Sequence, residues 1–89
     1  MDFEWDPKKA AANEQKHGVT FVESTEVFAD HYSLTVADPD HSAEEHRSLV
    51  FGMTKTGRAL VISFTDRGDR IRIVNARPMT PSERRAYEQ

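Results

Sequence analysis

Few groups in this 89-residue, cysteine-free sequence can move a proton or hold an anion near neutral pH, and most of them lie in its second half: His46, Arg47, Arg67, Arg70, Arg72 and Arg77. Histidine titrates near neutrality and can act as base or acid. The planar fork of arginine grips phosphate or carboxylate at two points. Together they are what metal-free phosphodiester cleavage requires: a base at a ribose 2'-hydroxyl, a proton for the leaving oxygen, and cations on the charge that develops between them. Without cysteine there is no disulfide framework, zinc knuckle or thiol nucleophile, and no P-loop, Gly-x-Gly-x-x-Gly or His-Glu-x-x-His is present. His31, Asp38, Asp40 and His41 are the one rival grouping, and they lack the ligand spacing of a catalytic divalent ion. No cofactor is expected.

These residues can meet only if strands carry them. Ala59 to Arg77 holds two alternating apolar runs joined at Gly68-Asp69, which reads as a β-hairpin with Arg67 opposite Arg70, Thr65 opposite Arg72 and Ser63 opposite Val74. Ser48 to Thr54 forms the preceding strand. A Thr56-Gly57 loop would pair Met53 with Leu60, Phe51 with Ile62 and Leu49 with Phe64, so that core meets core and His46 lands beside Arg67 and Arg70. Like charges set across a strand pair repel. A bound polyanion would relieve that cost, as would local neutralisation by Asp66 and Asp69. By the same count Arg77 faces away from Arg67 unless a bulge intervenes.

Around this sheet, Phe3 to Trp5 reads as a short strand, and Asp6-Pro7 as the cap and first residue of a helix ending at His17, with Gly18 as its stop. His17 in the last turn suits the negative end of the helix dipole. Thr20 to Glu23 is a capping-box sequence opening a second helix to Phe28 or Ala29, with Phe21, Val22, Thr25 and Phe28 on its core face. Tyr32, Leu34 and Val36 alternate as a strand, followed by a solvated acidic loop from Asp38 to Glu45. Thr80-Pro81-Ser82-Glu83 is a second capping box, opening a terminal helix to about Tyr87. The fold class is therefore α+β: one domain over residues 1–89, a small antiparallel sheet with two N-terminal helices and one C-terminal helix.

The net charge of −3 hides an asymmetry: residues 1–45 carry 11 acids and 3 lysines, whereas residues 46–89 carry 4 acids and 9 bases, 8 of them arginine. The overall acidity, with a pI of about 5.7, argues against indiscriminate duplex binding, whose affinity comes from many phosphates at once. No run approaches the ~20 apolar residues of a membrane span, and the start lacks a secretion signal. A cytoplasmic protein without membrane contact is expected.

WDPKKAAANEQKHGVTF, the Arg47 to Gly52 segment, TDRGDRIRIVNARP and the ERRAYE ending together resemble the BrnT toxins of bacterial type II toxin-antitoxin modules across nearly the whole chain. The resemblance implies a RelE-like fold, a ribonuclease that arrests translation, and a BrnA-type ribbon-helix-helix antitoxin through which alone operator DNA is bound. It brings Arg77 into the site beside His46 and Arg67, with Arg47, Arg70 and Arg72 holding the flanking RNA strand. Two other readings fit the residues alone. The arginine face could dock an acidic partner in a non-catalytic binding module, or the arginines could simply pair with the acidic first half of the chain.

Overall fold

A computed structural model describes residues 1–39 and 46–88. β1 (Asp2–Glu4) leads into α1 (Pro7–His17), then α2 (Phe21–Ser24) continues as a 3-10 segment (Thr25–Ala29). β2 (Leu34–Ala37), β3 (Arg47–Met53), β4 (Ala59–Asp66) and β5 (Arg70–Pro78) follow, and α3 (Pro81–Tyr87) ends the described chain. The sheet runs β1-β5-β4-β3-β2, antiparallel throughout except that β1 pairs parallel to β5. Among the described residues no helix is long and apolar enough to cross a membrane.

The helix ends follow their caps. The Asp6 carboxylate accepts from the Lys8 amide at 2.8 Å, and Gly18 closes α1 at φ +68°, a conformation that costs glycine nothing. At α2, the Thr20 hydroxyl accepts from the Glu23 amide. Glu23 does not complete the box; it turns to Arg58 at 2.7 Å. The tightening from α to 3-10 geometry after Ser24 places every third residue on one side. Phe21, Ser24 and Val27 are therefore buried, and Val22, expected in the core, is 66 % exposed.

The core lies between α1, α2 and one face of the sheet, where Val19, Phe21 and Val27 meet Val50, Leu60, Ile62, Phe64, Ile71, Ile73 and Ala76. An aromatic chain, Phe3 to Phe28 to Phe64, ties β1 and the 3-10 segment to β4 with ring centroids 5.2 and 5.1 Å apart. Asn13, the buried polar residue of α1, sets the helix on the sheet. Its amide nitrogen donates to the Val19 and Ala76 carbonyls at 3.0 and 2.9 Å, and its oxygen accepts from the Ala76 amide at 3.0 Å. β1 spans only the Arg70 to Arg72 part of β5. At Ala76, the side chain of Asn13 takes the place of a missing strand.

Two features of register depart from the sequence reading. The β3–β4 loop holds three residues, not two: the Thr54 amide donates to the Arg58 carbonyl, the Gly57 amide to the Thr54 carbonyl, and Gly57 takes φ +87°. Pairing slips by one residue, to Phe51 with Val61, Val50 with Ile62, and Arg47 with Thr65. A one-residue slip exchanges the faces of a strand. Val50 and Gly52 thus point to the core, and Leu49, Phe51 and Met53 leave it. Gly52 makes the flat spot on which the 3-10 segment rests, since a Cβ there would lie 2.8 Å from Val27 Cγ1.

The second departure is a bulge. β4 and β5 pair as expected from the Gly68-Asp69 turn, with Thr65 opposite Arg72 and Phe64 opposite Ile73, but Ser63 then meets Asn75 and leaves Val74 unpaired. From there Ala76 turns into the core and Arg77 to the other face. Strand β2 also starts later than expected. Tyr32 lies outside it, 80 % exposed, and Leu34 and Val36 are half exposed on this edge strand. The acidic loop expected over residues 38–45 lies outside the described residues from position 40 onward. Asp38 itself is buried, and its amide extends the β2–β3 ladder to the Arg47 carbonyl at 2.9 Å.

Candidate functional site

The sheet face away from α1 and α2 carries the arginines. Its first row, read across β1, β5, β4 and β3, is Glu4, Arg72, Thr65 and Arg47. Asn75, Ser63, Leu49 and Val36 form the second, and Arg77, Val61, Phe51 and Leu34 the third. Arg70 sits two residues before Arg72 on the same side, opposite Asp2, and Arg67 faces Arg70 across the turn, its amide donating to the Arg70 carbonyl at 2.8 Å. The bulge therefore unites Arg77 with Arg47, Arg70 and Arg72, which a continuous ladder would not.

His46 is the residue that the geometry moves away. It precedes β3 and is exposed, and the true register gives its expected place on the arginine face to Arg47. The row of His46, Arg67 and Arg70 expected from a two-residue loop does not form, because the loop has three residues. Val50 and Val74, read as neighbours on this face, separate likewise: one enters the core and the other is the bulged residue.

The arginines are matched by carboxylates. Glu4 accepts from Arg72 at 2.8 Å and lies 3.6 Å from Arg70. The Arg72 hydrogen bond, with the nearby charges of Arg72 and Arg67, holds the Glu4 carboxyl below its ordinary range against a desolvation that pulls the other way. It is Glu4, not Asp66 or Asp69, that pairs with Arg70 and Arg72. Arg77 meets Glu83 at two points, 2.7 and 2.9 Å. That fork lowers the Glu83 carboxyl to about 2, helped by the Thr80 amide at 2.8 Å, and raises the Arg77 guanidinium above its usual value. Between the arginines, Thr65 Oγ1 and Arg47 Nε are buried and have no hydrogen-bond partner among the described residues.

α3 is fastened over one end of this face. Arg77 holds its first turn through Glu83, and the Tyr87 hydroxyl donates to Asp30 in its last. Burial and the Asp30 carboxylate push the Tyr87 hydroxyl up to about 12. Burial raises the Asp30 carboxyl, but hydrogen bonds from Tyr87 and from the Tyr32 and Met53 amides outweigh it and leave it below its ordinary value. Between these anchors lies an apolar hollow lined by Leu34, Val36, Phe51 and Ala86.

A smaller basic hollow lies along α1. His17 lines it with Lys9, Lys16, Val74 and Asn75, so the bulge residues border both the arginine face and this groove. Sequence reasoning missed Glu4 as a site residue, because its partners come through a parallel pairing from 68 positions away. The one signal for it was a carboxylate flanked by Phe3 and Trp5, on the polar side of a strand.

A family model described as the ribonuclease toxin BrnT of a type II toxin-antitoxin system matches residues 5–83. The chain belongs to the BrnT family. Among solved structures it is similar to the Brucella abortus ribonuclease toxin BrnT, with a TM-score of 0.71 over 90 % of this chain and 97 % of that one at 17 % identity, which establishes a shared fold. No curated protein sequence matches. Membership makes the protein a ribonuclease toxin of a type II system, with a cognate antitoxin as its partner. Every arginine of the candidate face lies within the stretch that the BrnT family model covers.

Proposed function

We propose that this BrnT-family toxin is a metal-independent endoribonuclease that arrests translation, with its RNA substrate on the arginine face. A ribose 2'-hydroxyl attacks the adjacent phosphorus there, Arg70 and Arg72 hold the charge that builds on the phosphate, and Arg67, Arg47 and Arg77 hold the strand on either side. His46, read from the sequence as the proton-transfer group, is exposed beside Arg47 at the edge of that face. The observation that carries the reading is the bulge at Val74, which brings Arg77 onto the face of Arg72 and Arg47. Arginine cations supply the charge that a divalent ion would otherwise supply.

The partner in this reading is a BrnA-type ribbon-helix-helix antitoxin that neutralises the toxin in the cytoplasm and alone contacts operator DNA. The experiment is cleavage of a single-stranded RNA by the purified toxin in excess EDTA. Loss of cleavage in chelator, restored by magnesium, would overturn the metal-independent assignment.

The ion pairs favour a second reading. Arg72 and Arg77 are already matched by Glu4 and Glu83, as suits arginines kept for structure in a non-catalytic module. An RNA that competes with the antitoxin, and is cleaved, separates the first reading from the second.

A further inference from the structure

We propose that Glu4 is the general base of the cleavage reaction, taking the proton from the attacking 2'-hydroxyl; this rests on the ribonuclease reading above. Four observations converge on it. Its carboxylate lies on the arginine face, 2.8 Å from Arg72 and 3.6 Å from Arg70. It is reachable, since its side chain is 26 % exposed and those of Arg72 and Arg70 are 33 % and 59 % exposed. It begins the row that continues through Arg72 and Thr65 to Arg47, so a phosphate gripped by Arg72 lies beside it. The register has also removed His46 from the side of Arg67 and Arg70.

The charged groups facing Glu4 are Arg70 and Arg72 on β5, Arg67 at the turn, and Asp2 two residues earlier on its own strand. In the free protein the arginines hold Glu4 ionised, hence ready to accept a proton but weakly basic. When a phosphodiester arrives, Arg70 and Arg72 divide their hydrogen bonds between it and Glu4, and the phosphate adds a negative charge. Both changes raise the proton affinity of Glu4. The same arginines that bind the substrate thereby tune the base, and Glu4 is strongest as a base when substrate is in place.

The 2'-hydroxyl proton passes to Glu4 as the 2'-oxygen bonds to phosphorus; the bond from phosphorus to the 5'-oxygen breaks; water protonates the departing 5'-oxygen; and the hydroxide so formed takes the proton back from Glu4. The products are a 2',3'-cyclic phosphate and a 5'-hydroxyl end. No oxidant, metal or co-substrate enters.

The test uses an oligonucleotide with one ribonucleotide in an otherwise deoxyribose strand, cleaved by the intact wild-type toxin, Glu4→Gln and Glu4→Asp, with thermal unfolding of each variant measured alongside. Glu4→Gln keeps a hydrogen-bond acceptor for Arg72 but cannot take up the proton. It should lower kcat by about a hundredfold or more while KM stays within about threefold, and should abolish the acid limb of the pH profile. Glu4→Asp, which keeps the carboxylate, should retain that limb at reduced rate. In the wild type the acid limb of kcat should lie at higher pH than that of kcat/KM, because kcat reports the substrate-bound state. Wild-type cleavage with an unchanged kcat and acid limb in folded Glu4→Gln would reduce Glu4 to an ion-pair partner and leave the ribonuclease reading standing. No cleavage by the wild type would overturn that reading and the base together.

Discussion

Arg77 and Glu83 are joined by two hydrogen bonds, 2.7 Å from Nη1 to Oε1 and 2.9 Å from Nη2 to Oε2, and this fork fastens the end of β5 to the first turn of α3. Glu83 also closes the capping box with Thr80. A single carboxylate thus ends a strand, starts a helix and fixes the orientation of a candidate site residue.

The pH dependence of that fork has a definite sign. The folded-state carboxyl of Glu83 is depressed to about 2, so its stabilisation is complete above the ordinary carboxylate range and is lost as pH falls from there through about 2. About a third of the Arg77 side chain remains in water, which limits the contribution to about 1 kcal/mol. Urea unfolding of wild type and Glu83→Gln should differ by that amount at neutral pH and converge in strong acid. A gap independent of pH would assign the effect to helix capping alone.

Asn13→Ala should cost about 2–4 kcal/mol, because it strands the Ala76 amide and carbonyl and the Val19 carbonyl in the core. Denaturant titration measures this directly. A loss below about 1 kcal/mol would mean that α1 is held by apolar contact and that the clasp is incidental.

Gly52→Ala should destabilise by about 1–3 kcal/mol, since the new methyl meets Val27 Cγ1 at 2.8 Å and Asp30 Oδ2 at 3.1 Å inside a packed region. Adding Val27→Ala should recover part of the loss. Strict additivity of the two changes would show that they do not touch.

These sites differ in how far the sequence discloses them. α1 and α3 begin and end where Asp6, Gly18 and Thr80 say they should, because a cap is a local bond between residues two to four apart. The β4–β5 turn was equally local. The β3–β4 register was not, since Lys55-Thr56-Gly57-Arg58 suits either a two-residue or a three-residue loop, and one residue decides whether His46 or Arg47 joins the arginines. The bulge at Val74 leaves no mark in composition. The Glu4–Arg72 pair depends on a parallel pairing of β1 with β5, which two helices and three strands separate along the chain, so no spacing rule finds it.

The antitoxin should cover the arginine face and the apolar hollow beside it, Leu34, Val36 and Phe51, and should supply carboxylates to the arginines. Association should accelerate at low salt and slow as the Debye length shrinks from ~10 Å at 0.1 M to ~3 Å at 1 M, with dissociation far less sensitive. Hydrogen exchange should show protection in β2, β3 and β5 on binding. Protection confined to α1 and α2 would place the docking site elsewhere.

In the proposed reaction the bulged strand assembles an RNA-cleaving face from arginines without a divalent ion. Cleavage of single-stranded RNA in EDTA, measured side by side for wild type, Arg77→Ala, Arg72→Ala and the control Arg85→Ala on the outer side of α3, tests it most directly. Cleavage should persist in chelator, fall by about a hundredfold or more in the first two variants, and be unchanged in the control. Full activity of folded Arg77→Ala and Arg72→Ala, or activity that vanishes in EDTA and returns with magnesium, would contradict it.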